Sequence, residues 1–171
     1  MLICLSASCC RVSAEQYMNK PGIMILGIGN LLCRDDGVGV RIAMEMQGFD
    51  KYSGIRIVDG GTFPDLFSLL DDDVARLIIV DALRGSGRPG DIYRLNLQEE
   101  NIADGPAASL HGMGVLDSLK LMKKLGQQPP QVTIIGIEPA DVSPGLELSP
   151  VIKSVVPAII RAVESEIGRT A

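Results

Sequence analysis

The chain has 171 residues, the size of one domain, and 46% of them are hydrophobic, which is enough to build a core at this length. Its formal net charge is −5, and its lysines and arginines are scattered without interleaved aromatic residues, so nucleic-acid binding is disfavoured. No stretch approaches the roughly 20 consecutive apolar residues that a membrane-spanning helix needs.

The N-terminal segment differs from the rest of the chain. Three of the four cysteines lie in the first ten residues, and no C-x-x-C pair occurs, which favours a reduced, cytoplasmic chain. The segment lacks the basic start and the long apolar run of a signal peptide. We expect residues 1–20 to be an extension, either poorly ordered or a mis-assigned start with translation beginning at Met18. Residues 21–171 are then a single domain.

Strand-like and helix-like patterns alternate through the first half of this domain. The continuous apolar run Met24–Ile28 predicts a strand buried on both faces, and the loop Gly29–Asp36 follows it. The pattern predicts a helix over Gly37–Gln47 and a second strand over Ile55–Asp59. Proline at a first helical position then predicts a short helix over Pro64–Leu70.

A third apolar run, Leu77–Val80, predicts a buried strand with Asp81 at its tip. A fourth strand is predicted over Asp91–Leu95. A parallel crossover needs a dozen or more residues and usually a helix, so the short turn between these strands predicts that the fourth runs antiparallel.

The last part of the chain predicts a helix over residues 111–125, a fifth strand over Val132–Ile137 and a long helix from Pro150. We expect Val151 to face inward in that helix and Pro157 to be a possible kink. The fold class is therefore α/β: a phosphorylase/hydrolase-like three-layer sandwich with a mixed, mostly parallel five-stranded sheet of order 2-1-3-5-4. The carboxyl ends of the first and third strands frame the switch point, where open α/β sheets bind ligands.

The first loop begins like a dinucleotide-binding turn, with Gly27 and Gly29 directly after a strand. Leu32 stands where the third glycine of that motif would be. Asp35 and Asp36 would repel a pyrophosphate at the start of the following helix. A nucleotide-binding oxidoreductase is thus a disfavoured alternative.

The same loop can instead be an acidic site. An aspartate at a helix start can be a cap, so Asp35 or Asp36 could serve that role. Asp81 should lie at the same crevice, and His111, the only histidine, opens a helix at its rim. Two carboxylates and one imidazole suit a borderline divalent metal with open coordination positions.

Two nucleophilic schemes are weaker. No Gly-x-Ser-x-Gly elbow accompanies a Ser-His-Asp arrangement, and Ser109 lies too near His111 in sequence. Cys33 could pair with His111 as in a thiol protease, although a small buried thiol is the simpler interpretation.

Five sequence blocks resemble, in order, the motifs of the [NiFe]-hydrogenase maturation endopeptidases. They extend from about residue 23 to the C-terminal helix and so cover nearly all of the chain beyond its first twenty residues. The blocks are Ile25–Leu32 with Asp35–Gly39, Val58–Thr62, Leu77–Ala82, Ser109–Gly112 and Ile135–Pro139.

This resemblance implies a metal-dependent endopeptidase that removes the C-terminal extension of a hydrogenase large-subunit precursor once nickel is inserted, with the bound nickel as the recognition signal. The family's metal-contacting and catalytic positions fall on Asp36, Asp81 and His111. We expect nickel to arrive with the precursor rather than to be held permanently, because only three candidate ligands are evident. We expect no nucleotide cofactor. A non-catalytic, nickel-dependent assembly chaperone is the other alternative, since the same three residues could bind without cleaving.

Overall fold

The fold comes from a computed structural model that describes residues 22–52, 54–62, 64–71, 73–97 and 112–169. The predicted N-terminal extension, residues 1–20, lies outside the described residues. Within them, no helix is long and apolar enough to cross a membrane.

A five-stranded sheet forms the middle layer. The strands are β1 (Ile23–Gly27), β2 (Arg56–Asp59), β3 (Arg76–Ala82), β4 (Ile92–Leu97) and β5 (Gln131–Ile137). Their order in the sheet is β2-β1-β3-β5-β4. The pairs β1–β2, β1–β3 and β3–β5 are parallel, whereas β4 runs antiparallel to β5. The predicted strand order and the antiparallel fourth strand are therefore confirmed.

Helices cover both faces of the sheet, so the predicted three-layer α/β sandwich is also confirmed. The helices are α1 (Val38–Gln47), α2 (Leu66–Leu69), α3 (Gly112–Lys124) and α4 (Pro150–Gly168), with short 3-10 helices at Arg34–Gly37 and Asp50–Tyr52. One apolar cluster joins α1 and α4 to the sheet, and a second joins α2 and α3 to its other face. Alternate residues of β1 divide between the clusters: Ile25 belongs to the first, and Met24 and Leu26 belong to the second.

The first turn of α1 lies directly on the ends of two strands because it contains Gly39. A Cβ atom at this residue would be only 2.0 Å from the carbonyl oxygen of Val80 and 2.4 Å from that of Ile28. Only glycine permits this approach of helix backbone to sheet backbone. The start of α1 is thereby fixed at the carboxyl ends of β1 and β3.

Two local expectations are wrong. Helix α2 begins after Asp65 rather than at Pro64, because the Asp65 side chain accepts a hydrogen bond from the Phe67 N–H and caps the helix there. Val151 is exposed rather than inward-facing. The buried stripe of α4 runs through Ile152 and Ile159, and Val151 is displaced from it by one residue, or about 100° around the helix. Helix α4 continues through Pro157.

The second 3-10 helix is bound to α4 by a polar cluster. The Lys51 ammonium and the Tyr52 hydroxyl each donate a hydrogen bond of 2.6 Å to Oε1 of Glu164. Burial and the hydrogen bond to Glu164 raise the pKa of Tyr52 to about 12, and the hydrogen bond to Glu164 raises the pKa of Lys51. The cluster holds α4 against the segment that follows α1.

These pKa values predict a loss of stability in alkali. Both folded-state pKa values lie above those of the unfolded chain, so the stabilisation is complete below about pH 10 and is lost as pH rises toward 12. We expect the free energy of unfolding to fall by about 1–2 kcal/mol over that interval. Denaturant unfolding at pH 9 and at pH 11.5 measures it. Tyr52→Phe should be less stable than the wild-type protein at pH 9, but its free energy of unfolding should fall less between pH 9 and pH 11.5. An equal fall in both proteins would contradict the role given to Tyr52.

Candidate functional site

Asp36 lies in the 3-10 helix before α1 and is only 5% exposed. Its Oδ2 accepts a hydrogen bond from the Asn30 N–H at 3.1 Å, while its own N–H donates to the Cys33 carbonyl at 3.0 Å. The Asn30 side chain in turn accepts from the Leu32 N–H at 2.9 Å. Hydrogen bonds within the loop therefore stabilise its conformation and fix the position of the Asp36 carboxylate.

Gly29 makes this loop geometry possible. Its φ is +141°, and a Cβ there would be 1.9 Å from the backbone oxygen of Asp36. A side chain would thus be strained in conformation and would collide with the residue that carries the acid. The glycine that resembled part of a dinucleotide motif instead makes room for Asp36.

This arrangement also weighs against the oxidoreductase alternative. A pyrophosphate bound at such a turn needs the free backbone N–H groups of the loop. The Asn30 N–H already donates to Asp36, and Asp35 and Asp36 place two buried acidic side chains at the same turn.

Asp81 is the second-last residue of β3, where it pairs with Gly136 of β5. We predicted that Asp81 lies at the tip of its strand, and this is wrong: β3 extends through Ala82, and Asp81 is only 1% exposed. The 3-10 helix that carries Asp36 contacts β3, and the first turn of α1 lies on Val80. Asp36 and Asp81 are therefore buried acids at the same carboxyl edge of the sheet, beside the switch point.

The suggestion that Asp35 or Asp36 caps the following helix is wrong. The residue that caps α1 is Gly37, and no side chain hydrogen-bonds at that position; the cap residue of the 3-10 helix, Cys33, has none either. The Asp35 carboxylate instead accepts backbone N–H groups of a different segment, which connects β5 to α4.

His111 lies outside the described residues. The predicted helix after it is present as α3, which begins at Gly112. The convergence of Asp36, Asp81 and His111 on one cleft stays a prediction. Among the described parts of the chain no group of three or more His, Cys, Asp or Glu side chains is placed to hold a metal ion. Cys33 is a half-buried free cysteine, and its pairing with His111 also stays untested.

The sequence assigned no role to Glu138, which the structure places just after β5. Its Oε2 accepts from the Gly85 N–H at 2.7 Å and from the Tyr93 hydroxyl at 2.6 Å, and the latter bond raises the pKa of Tyr93. Glu138 thus fixes the turn that follows β3 and Asp81. Its only sequence signal was its place in the Ile135–Pro139 block.

Comparison with known proteins decides the family. The family model described as hydrogenase maturation protease, HycI, matches residues 40–166. This chain belongs to the hydrogenase maturation proteases. The Escherichia coli K12 hydrogenase 2 maturation protease is 30% identical over 145 residues, which are 82% of this chain and 87% of that protein. The hydrogenase expression/formation protein HupD of Thiocapsa roseopersicina is 34% identical over 153 residues, covering 85% and 68%.

Solved structures of hydrogenase maturation proteases have the same fold. The hydrogenase maturating endopeptidase HybD from E. coli superimposes with a TM-score of 0.73 at 28% identity, covering 85% of this chain and 91% of that one. The resemblance carried by the five sequence blocks is thereby confirmed, and the activity class is that of a hydrolase acting on a peptide bond.

Proposed function

We propose that this maturation protease removes the C-terminal extension of a nickel-loaded [NiFe]-hydrogenase large-subunit precursor in the cytoplasm. The observation that carries the proposal is the pair of buried acids, Asp36 and Asp81, at the switch point of a chain in this family. His111 is the third residue of the proposed site.

The chemistry of this set fits nickel that arrives as part of the substrate. Carboxylate oxygens and one imidazole nitrogen are suitable donors for a borderline divalent ion, and three protein donors leave positions for ligands from the precursor. Asp36 is held by the Asn30 N–H and Asp81 by the paired strand β3, so both donors are positioned before the substrate arrives.

Two mechanisms use these residues. In the first, nickel polarises the scissile carbonyl or activates a water molecule, and the carboxylates and His111 hold the ion. In the second, nickel only positions the substrate, and one carboxylate accepts a proton from the attacking water. In both, Asp36 and Asp81 contact the nickel or the water, and substitution of either acid disables the site.

The proposal predicts that binding depends on nickel through Asp36. The wild-type protein should bind a nickel-loaded precursor about tenfold or more tightly than the nickel-free precursor, since even the loss of a residue that only orients a metal ligand commonly costs about tenfold in metal affinity. Asp36→Asn should lose most of this difference, whereas Asp36→Glu should retain more of it because a carboxylate remains. Stopped-flow association and dissociation rates, recorded before turnover because the wild-type protein should cleave the nickel-loaded form, give the affinities for both precursor forms. Equal affinity of the wild-type protein for the two forms would exclude nickel as the recognition signal.

A further inference from the structure

Asp35, the neighbour of Asp36, is 0% exposed and makes a set of bonds that the proposed reaction does not use. Its Oδ2 accepts the N–H groups of Ala140 and Asp141, each at 2.9 Å. Its Oδ1 accepts the N–H of Ser149 at 2.6 Å. One carboxylate thus satisfies three backbone donors.

All three donors belong to the segment that connects β5 to α4. The Arg34 N–H donates to the Gly145 carbonyl, and the Gly145 N–H donates to the Leu32 carbonyl, each at 2.8 Å, so the loop and this segment run side by side. Ser149 is also the cap residue of α4. Asp35 therefore binds the loop that bears Asp36 to the start of α4.

The bond between Asp36 and Asn30 is local in sequence, whereas the side-chain bonds of Asp35 are long-range. The Asp36 side chain bonds to Asn30 within its own loop, which fixes its orientation there. Asp35 bonds across the molecule to residues more than a hundred positions away in sequence. Asp35 thus adds three side-chain bonds to the backbone bonds that Leu32 and Arg34 make with Gly145, and a displacement of Asp35 would also displace the adjacent Asp36.

We propose that Asp35 is a positioning residue: it holds the Asp36 carboxylate in the place where that carboxylate contacts the nickel site of the substrate. The inference rests on the proposed function, because it is Asp36 whose placement matters. A misplacement of about 1 Å at a reacting centre can lower a rate by about a hundredfold, so a buried anchor next to the acid bears directly on turnover.

Asparagine cannot replace this anchor, although its shape is nearly the same. Its side-chain oxygen can accept the N–H groups of Ala140 and Asp141, but its NH₂ group then faces the N–H of Ser149, and two donors oppose each other. The side chain must shift or the Ser149 N–H stays unsatisfied. Either outcome loosens the loop at the point where it meets α4.

The test compares Asp35→Asn with Glu166→Gln, measured well below the melting temperature of each. Glu166 is a matched control: it is a 2%-exposed carboxylate that accepts bonds from Arg94 at the far end of α4. Both variants should lower Tm by several degrees. Per folded molecule, Asp35→Asn should lower kcat on nickel-loaded precursor about tenfold or more with a smaller change in KM. Glu166→Gln should leave both constants within about twofold of the wild type.

Wild-type kcat in Asp35→Asn would overturn the proposal and leave Asp35 a purely stabilising residue. If Asp35→Asn fails to fold, Asp35→Glu tests the same contacts. It keeps a carboxylate for the N–H groups of Ala140, Asp141 and Ser149 but moves it by one methylene at a position with no exposed surface, which displaces the loop. This variant should lower kcat about threefold, and an unchanged kcat would overturn the proposal.

If the wild-type protein cleaves no precursor, the proposed function fails. Amide hydrogen exchange then still tests whether Asp35 holds the loop of Asp36 in place. Asp35→Asn should accelerate exchange across residues 30–37, whereas Glu166→Gln should not. Equal exchange in this loop for the two variants would contradict a positioning role.

Discussion

Asp81→Asn is expected to lower the rate of precursor cleavage by about a hundredfold or more while the protein stays folded. The loss follows from the removal of the charged oxygen at the end of β3, one of three proposed contacts to the incoming nickel site. The fold should persist because asparagine fills the same volume and opens no cavity. The strand's pairing with β1 and β5 is formed by backbone groups and does not depend on this side chain.

The measurement is the rate at which the precursor loses its C-terminal peptide, with Tm recorded for each variant. Asp71→Asn is the matched control, since Asp71 is an exposed aspartate whose ion pair with Arg56 lies at the amino-terminal side of the sheet. It should cleave at the wild-type rate. An active Asp81→Asn variant would remove Asp81 from the site.

The second large effect is expected at Gly39. Gly39→Ala should reduce the free energy of unfolding by about 3 kcal/mol or more, because the new Cβ would stand 2.0 Å from the backbone oxygen of Val80. Neither backbone can yield without moving the start of α1 off the sheet. We expect Tm to fall by about 6–12 °C. Cleavage should fall as well, since the 3-10 helix with Asp36 leads directly into this turn.

Gly168→Ala provides the control for this substitution. Gly168 ends α4, and no atom lies within 4 Å of the place that a Cβ would occupy there, so alanine should be neutral or should stabilise the helix slightly. Thermal unfolding followed by circular dichroism measures both variants. A Gly39→Ala protein with wild-type Tm would show that α1 does not pack this closely on β3.

The strand order could be predicted from the sequence because it depends on features that sequence records directly. Apolar runs such as Met24–Ile28 mark buried strands, and the short turn before Asp91 excludes a parallel crossover. The first residue of a helix is harder to predict, because several residues in the preceding turn can each cap it. Asp65, not Pro64, determines where α2 begins.

The shared edge of Asp36 and Asp81 follows from strand adjacency, so the sequence could predict it. The role of Asp35 could not be predicted, since its partners are backbone N–H groups of Ala140, Asp141 and Ser149, and any residue type except proline supplies such a donor. The burial of Asp81 was missed for a related reason. In the sequence, an aspartate directly after an apolar run is typical of a turn. Only the pairing of Ala82 with Ile137 shows that the strand continues past Asp81.

Cleavage of a nickel-loaded hydrogenase large-subunit precursor is the activity proposed for this chain. The most direct measurement incubates the purified protein with nickel-loaded and nickel-free precursor and records the mass of the large subunit over time. The proposed function predicts that only the nickel-loaded form loses a C-terminal peptide. A large subunit of unchanged mass that nevertheless stays bound to the protein would contradict it and would favour the non-catalytic chaperone.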